Sequence, residues 1–138
     1  MSLYLNGYEA RVDKAVGAFW ATRQGGKGVL GGKTMDGFAD VLKWVVRKNG
    51  LPDATFYEGG VWAEVPGFFR SAKRWDLLVM NGETLVAAIE FKSIADSFGN
   101  NANNRGEEAA GCAVDVLEAL SEGAFDDLTK IFLGYLML

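Results

Sequence analysis

The chain has 138 residues, 14 of them basic and 18 acidic, and a formal net charge of -4. It has no histidine and a single cysteine, Cys112. Those two facts exclude a Ser-His-Asp triad, a histidine-ligated zinc, a histidine general base and an intramolecular disulfide. The 49% hydrophobic share is ordinary for a globular chain, and one domain over residues 1–138 is expected. Mild acidity argues against a generic nucleic-acid coat or membrane patch, though it says little about a local site. No stretch reaches the roughly 18 apolar residues of a membrane span. No signal peptide is visible at Met1 to Asn6, so a reducing, cytoplasmic setting is expected.

Tyr4, Leu5, Tyr8, Val12, Ala15, Val16 and Phe19 recur at three- and four-residue steps, which predicts a helix from about Ser2 to Thr22. Gln24 to Thr34 holds five glycines and reads as a loop. Phe38, Val41, Leu42, Val45 and Val46 restart the helical period, and Lys48-Asn49-Gly50-Leu51-Pro52 stops it. Thr55-Phe56-Tyr57 and Val61-Trp62-Ala63 then read as short strands, with a turn at Pro66-Gly67. Arg74 to Met80 and Thr84 to Lys92 form a hairpin about the Asn81-Gly82-Glu83 turn. Both hairpin strands are apolar on both faces, as expected of central strands.

Ser93 to Gly106, with four asparagines, reads as a polar loop. Glu107 to Glu122 predicts a third helix with an Ala110, Ala113, Val114, Leu117 and Leu120 stripe, stopped by Gly123. Ile131 to Leu138 is a last apolar strand. The order α-α-β-β-β-α-β gives a small α/β (α+β) fold. An end inside the most apolar strand suggests a longer protein cut there, or a strand that pairs with another chain.

Four features carry possible chemistry. Gly28 to Thr34 ends like a phosphate-binding loop, but position 27 is lysine where that motif needs glycine. The segment also follows a helix rather than a buried strand, so no nucleotide cofactor is expected; an intermediate reading makes Lys27 or Lys33 a DNA phosphate contact. The second feature is the hairpin. Glu90 and Lys92 share one face of their strand, and Asp76 lies 14 positions before Glu90. With a turn of about three residues, Asp76 falls near Ala88, on the same face as Glu90 and one diagonal step away. Paired carboxylates among apolar residues repel and call for a cation, either Lys92 or a divalent metal. A plain Glu90–Lys92 ion pair with Asp76 solvated is the structural alternative.

The third feature is the cluster Arg70, Lys73 and Arg74, with Arg105 in the asparagine-rich segment. It reads either as ordinary surface charge or as phosphate contacts, with asparagine amides such as those of Asn103 and Asn104 able to reach base edges. The fourth is Cys112, which reads as a buried inert thiol because no histidine exists to activate it. Glu107 and Glu108 read as charge at a helix N-terminus, or as further acids near a metal. Glu64 has no assigned role.

The strings GGKTMDGF (Gly31 to Phe38), PGFFRSAKRWDLLV (Pro66 to Val79), AIEFKS (Ala88 to Ser93), FGNNANNRGEEAAG (Phe98 to Gly111) and FLGY (Phe132 to Tyr135) closely resemble the XhoI family of type II restriction endonucleases. The resemblance runs in the same order over most of the chain. It implies a restriction-endonuclease-like PD-(D/E)xK core: a central mixed sheet with flanking helices. It further implies Mg²⁺-dependent cleavage of double-stranded DNA at the palindrome CTCGAG, by a homodimer. On this chain it makes Asp76, Glu90 and Lys92 catalytic. Asp76, Glu90 and the Phe91 backbone carbonyl become the metal ligands, and the DNA contacts expected from the basic and asparagine-rich segments are Lys33, Arg70, Lys73, Arg74, Asn103, Asn104 and Arg105. Trp75 stands where that pattern has its proline. Family members look longer, so a truncated, non-catalytic DNA- or partner-binding module is the alternative.

Overall fold

The computed structural model describes residues 2–24, 35–94 and 98–138. The loop around Lys33, including the phosphate-loop lookalike, lies outside the described residues. The chain divides into two compact units, Met1–Ala54 and Thr55–Leu138, where the sequence suggested one domain.

The first unit is a helix pair. Helix α1 spans Tyr8–Gln24 and α2 spans Asp36–Lys48. The expected start near Ser2 is corrected to Tyr8. Gly7, at φ 84°, takes a left-handed turn that a continuing helix cannot, and Tyr4 and Leu5 stay exposed. Ala15 and Phe19 are the buried side chains of α1, and Phe19 meets Phe38 edge to face at 6.4 Å. Asn49 closes the unit, accepting from the Tyr4 amide at 2.6 Å and donating to the Tyr4 carbonyl at 3.2 Å.

The second unit holds two sheets. Strands β1 (Thr55–Tyr57), β4 (Leu77–Asn81), β5 (Thr84–Lys92) and β6 (Phe132–Met137) form one, in the order β1-β4-β5-β6. β2 (Glu64–Pro66) and β3 (Ala72–Arg74) form a separate ribbon. β4 and β5 are the two central strands, as their two-faced apolar pattern implied. β5 and β6 run parallel, which demands a crossover. Helix α3 (Phe98–Ser121) supplies it.

Four expectations need correction here. Val61–Ala63 is a single 3₁₀ turn rather than a strand, with Trp62 exposed. The expected strand Arg74–Met80 is two strands, β3 and β4, because the chain changes sheets at Trp75 and Asp76. The Trp75 amide bonds to Ala63 on one side, and the Asp76 amide bonds to Ile89 on the other. The asparagine segment from Phe98 is helical rather than a loop. Asn103 bonds Glu107 at 3.1 Å and Arg105 bonds Glu108 at 2.6 Å, pairs at i,i+4 and i,i+3 that offset poor local propensity. The α3 stripe is also displaced: Val114 and Leu117 are half exposed, while Cys112, Asp115, Val116 and Ala119 are buried.

The core of this unit joins Ala63, Val65, Trp75, Leu78, Ala88, Cys112 and Val116. Leu78 and Ala88 are partners across β4 and β5, so this face of the sheet is the one that meets α3. Alternation along β5 sends Glu90 and Lys92 to the same face. Beyond the end of β4, Asp76 follows the same alternation.

Candidate active site

The hairpin sets the carboxylates. Gly82 and Glu83 make a two-residue turn, with Gly82 at φ 59°, the left-handed value its first central position requires. That turn alone pairs Met80 with Leu85 and would set Asp76 against Ile89, on the face away from Glu90. A bulge between Val79 and Met80 shifts the register, so that Leu77 faces Ile89. Extended one step, the shifted register brings Asp76 level with Glu90. The expected three-residue turn and diagonal pairing are thereby corrected, but the shared face stands.

Asp76 Oδ2 accepts from the Phe91 amide at 2.7 Å. Burial pushes the Asp76 carboxyl above its ordinary range. The amide bond opposes this, the Glu90 charge adds to it, and Lys92 and Lys73 reduce it. Glu90 is buried, with Lys92 Nζ 2.8 Å from Oε1 and Lys73 Nζ 2.8 Å from Oε2. For Lys92, burial disfavours the ammonium. The hydrogen bond to Glu90 and the charges of Glu90, Glu108 and Asp76 outweigh that and raise its pKa. The structure therefore brings Asp76, Glu90 and Lys92 together.

Three further groups complete the cluster. Glu108 Oε1 is 3.7 Å from Lys92, and its Oε2 is 2.6 Å from Arg105. Burial raises the Glu108 carboxyl, but the Arg105 bond and the Lys92 charge hold it below its ordinary value. α3 starts at Phe98, so Glu108 does not sit at a helix N-terminus, and of its two readings the one near the carboxylates fits the geometry. Tyr135 of β6 lies beside Glu90 in register. Its buried hydroxyl makes no well-angled hydrogen bond, yet burial and the neighbouring Glu108 push it up to about 12. Lys73, expected at DNA, instead contacts Glu90 and stacks 4.4 Å over the Trp75 ring.

Of the other expected DNA contacts, Arg70, Arg74, Asn103 and Arg105 have partners within the chain. Arg74 Nε is 2.7 Å from Glu64 Oε1, and Asn103 binds Glu107. Asn104 is exposed. Arg70 pairs with Asp115, a residue that the sequence reading does not single out. Asp115 is 1% exposed. Its Oδ1 accepts from the Phe68 amide at 2.9 Å and the Phe69 amide at 2.7 Å. Arg70 Nε lies 2.8 Å from Oδ2, close enough for an ion pair though not angled as a hydrogen bond. A Cβ on Gly67 would sit 2.5 Å from that oxygen, so the carboxylate clamps the loop between β2 and β3 onto α3.

Two carboxylates held level, one pushed toward protonation by burial and its neighbour, suit a hard divalent cation completed by a backbone carbonyl and waters. Among the described residues no three acidic or thiol groups come together closely enough to hold a metal ion, so the protein would supply a two-carboxylate site rather than a full cage. Cys112 is buried and free, away from any activating base. No helix among the described residues is long and apolar enough to cross a membrane.

A family model described as restriction endonuclease XhoI matches residues 12–138. The type II restriction enzyme XhoI of Xanthomonas vasicola is 44% identical over 153 aligned positions, covering 100% of this chain and 62% of that relative. The type II restriction enzyme AbrI of Azospirillum brasilense is 42% identical, covering 100% of this chain and 69% of its own length. The type II restriction enzyme BstVI of Geobacillus stearothermophilus is 46% identical over 116 positions, covering 80% of this chain and 51% of that relative. The chain thus spans between about half and two-thirds of the curated relatives it matches. No solved structure matches it. On the match from residue 12 to the last residue, the chain belongs to the XhoI restriction endonuclease family.

Proposed function

We propose that this chain forms the catalytic centre of a site-specific endonuclease that hydrolyses duplex DNA with Mg²⁺. The observation that carries the reading is Asp76 and Glu90 level on one sheet face, with Lys92 bonded to Glu90 and on the same face. Asp76, Glu90 and the Phe91 carbonyl would hold the ion. Bound there, a divalent cation supplies positive charge for the phosphate and acidifies a water. Lys92 would orient the attacking water and neutralise charge building on the phosphate oxygens. The water adds in line at phosphorus, the P–O3′ bond breaks, and a 5′-phosphate and a 3′-hydroxyl remain. No histidine is needed at any step.

Arg70, Arg74, Asn103, Asn104, Arg105 and Lys33 would meet the duplex, exchanging acids of this chain for phosphates and base edges. A palindromic target, CTCGAG by family resemblance, calls for two copies about a two-fold axis. Supercoiled plasmid bearing that site, incubated with Mg²⁺, tests the reading. Asp76→Ala, Glu90→Ala and Lys92→Ala are each expected to lower cleavage by about a hundredfold to a thousandfold. DNA binding in Ca²⁺ should survive. Cleavage by Glu90→Ala at the wild-type rate contradicts the assignment. Binding with no nicking by wild type assigns a non-catalytic DNA-binding role instead.

A further inference from the structure

Glu90 is fully counter-charged before any metal arrives. One ammonium lies 2.8 Å from each of its oxygens, Lys92 at Oε1 and Lys73 at Oε2. The two lysines are not equivalent. Lys92 is carried on β5 beside Glu90 and has Glu108 Oε1 at 3.7 Å as a second acid. Lys73 reaches in from β3, a three-residue strand of the separate ribbon. Its other close partners are neutral: the Arg74 carbonyl at 3.1 Å and the Trp75 ring at 4.4 Å. Those two partners can keep an ammonium in place without neutralising it, the ring face being attractive to cations.

We infer that Lys73 is a resident counter-cation: it occupies Glu90 Oε2 in the metal-free site and yields that oxygen when a divalent cation binds. The inference rests on the metal-dependent reading above. Its physical basis is competition. An ammonium and a dication on one half-dry carboxylate oxygen repel strongly, and a buried acid left without either is costly. Lys73 therefore keeps the acid pair tolerable without metal and opposes metal entry. Released from Glu90 while still held over the Trp75 ring, it becomes free to meet a DNA phosphate, which reconciles its observed partner with its position among the expected DNA contacts.

The sign of one substitution separates this role from a structural one. If Lys73 only pinned the ribbon to the sheet, removing it would loosen the carboxylates and weaken metal binding. If it competes, removing it tightens binding. Calorimetric titration of Mn²⁺ into the chelator-stripped chain reads the difference. Lys73→Met is expected to tighten Mn²⁺ binding by roughly tenfold, and Lys73→Gln, which keeps a polar end should methionine fold poorly, by less but in the same direction. Glu90→Gln should abolish binding. Unchanged or weaker binding in both lysine variants, with Glu90→Gln still null, overturns the counter-cation role and leaves the metal site standing. Wild-type affinity in Glu90→Gln overturns the metal site and this inference with it.

Discussion

Asp115 shows how a single buried acid can be a structural instrument. Two backbone amides and an arginine converge on a carboxylate that is 1% exposed. Asp115→Ala leaves the Phe69 amide without its acceptor and Arg70 without its counter-charge, while the Phe68 amide keeps the backbone carbonyl of residue 115, and is expected to cost about 3 kcal/mol. Asp115→Asn keeps an oxygen for the amides and should cost less; urea unfolding reads both. Glu108 makes a smaller, pH-dependent contribution. Its folded pKa lies below its ordinary 4.5, so its stabilisation is present above that value and is lost as pH falls through the depressed one. Glu108→Gln should therefore be less stable than wild type at pH 7, by under about 1 kcal/mol because the pair is partly exposed. The gap should close in thermal melts taken progressively below pH 4.5. The Asp115 role is not legible in the sequence. An acid's burial depends on which backbone amides the fold delivers to it, and those of Phe68 and Phe69 are nearly fifty positions away.

At the level of elements, the sequence disclosed where most of the helices and strands lie but not which way α3 faces. Ala110, Val114 and Leu117 make the more apolar stripe, yet the helix buries Cys112, Asp115, Val116 and Ala119. The face holding Asp115 turns inward because the loop after β2 satisfies it, an arrangement invisible to a local periodicity count. Val116→Ala should thus cost about 2 kcal/mol in chemical denaturation, as a fully buried side chain losing methyl groups. Leu117→Gln should change stability by less than about 0.5 kcal/mol. The hairpin teaches a related lesson. A three-residue turn and a two-residue turn plus one bulge give the same parity, so the sequence pattern alone puts Asp76 and Glu90 on one face. The side-chain alternation was written in the residues; the bulge that makes them level depends on how β4 and β5 pack. The helical asparagine segment was missed because its glycines and asparagines argue locally for a loop, while the Arg105–Glu108 and Asn103–Glu107 pairs hold it as helix.

For the whole molecule, the absent histidine leaves carboxylate, metal and lysine chemistry for the hydrolysis we propose. Asp76, Glu90 and Lys92 meet as that chemistry requires. A net charge of -4 does not exclude DNA, and under the proposed function the cations paired with internal acids would be exchanged onto phosphates. Lys73 on Glu90 places one such exchange at the candidate centre itself. Single-turnover cleavage of an end-labelled duplex carrying CTCGAG, by wild type and by Glu90→Ala in Mg²⁺, puts the centre to the most direct test. Cutting confined to that site by wild type, leaving 5′-phosphate ends and lost in the variant, is the expected result. Equal cutting by both proteins would contradict it.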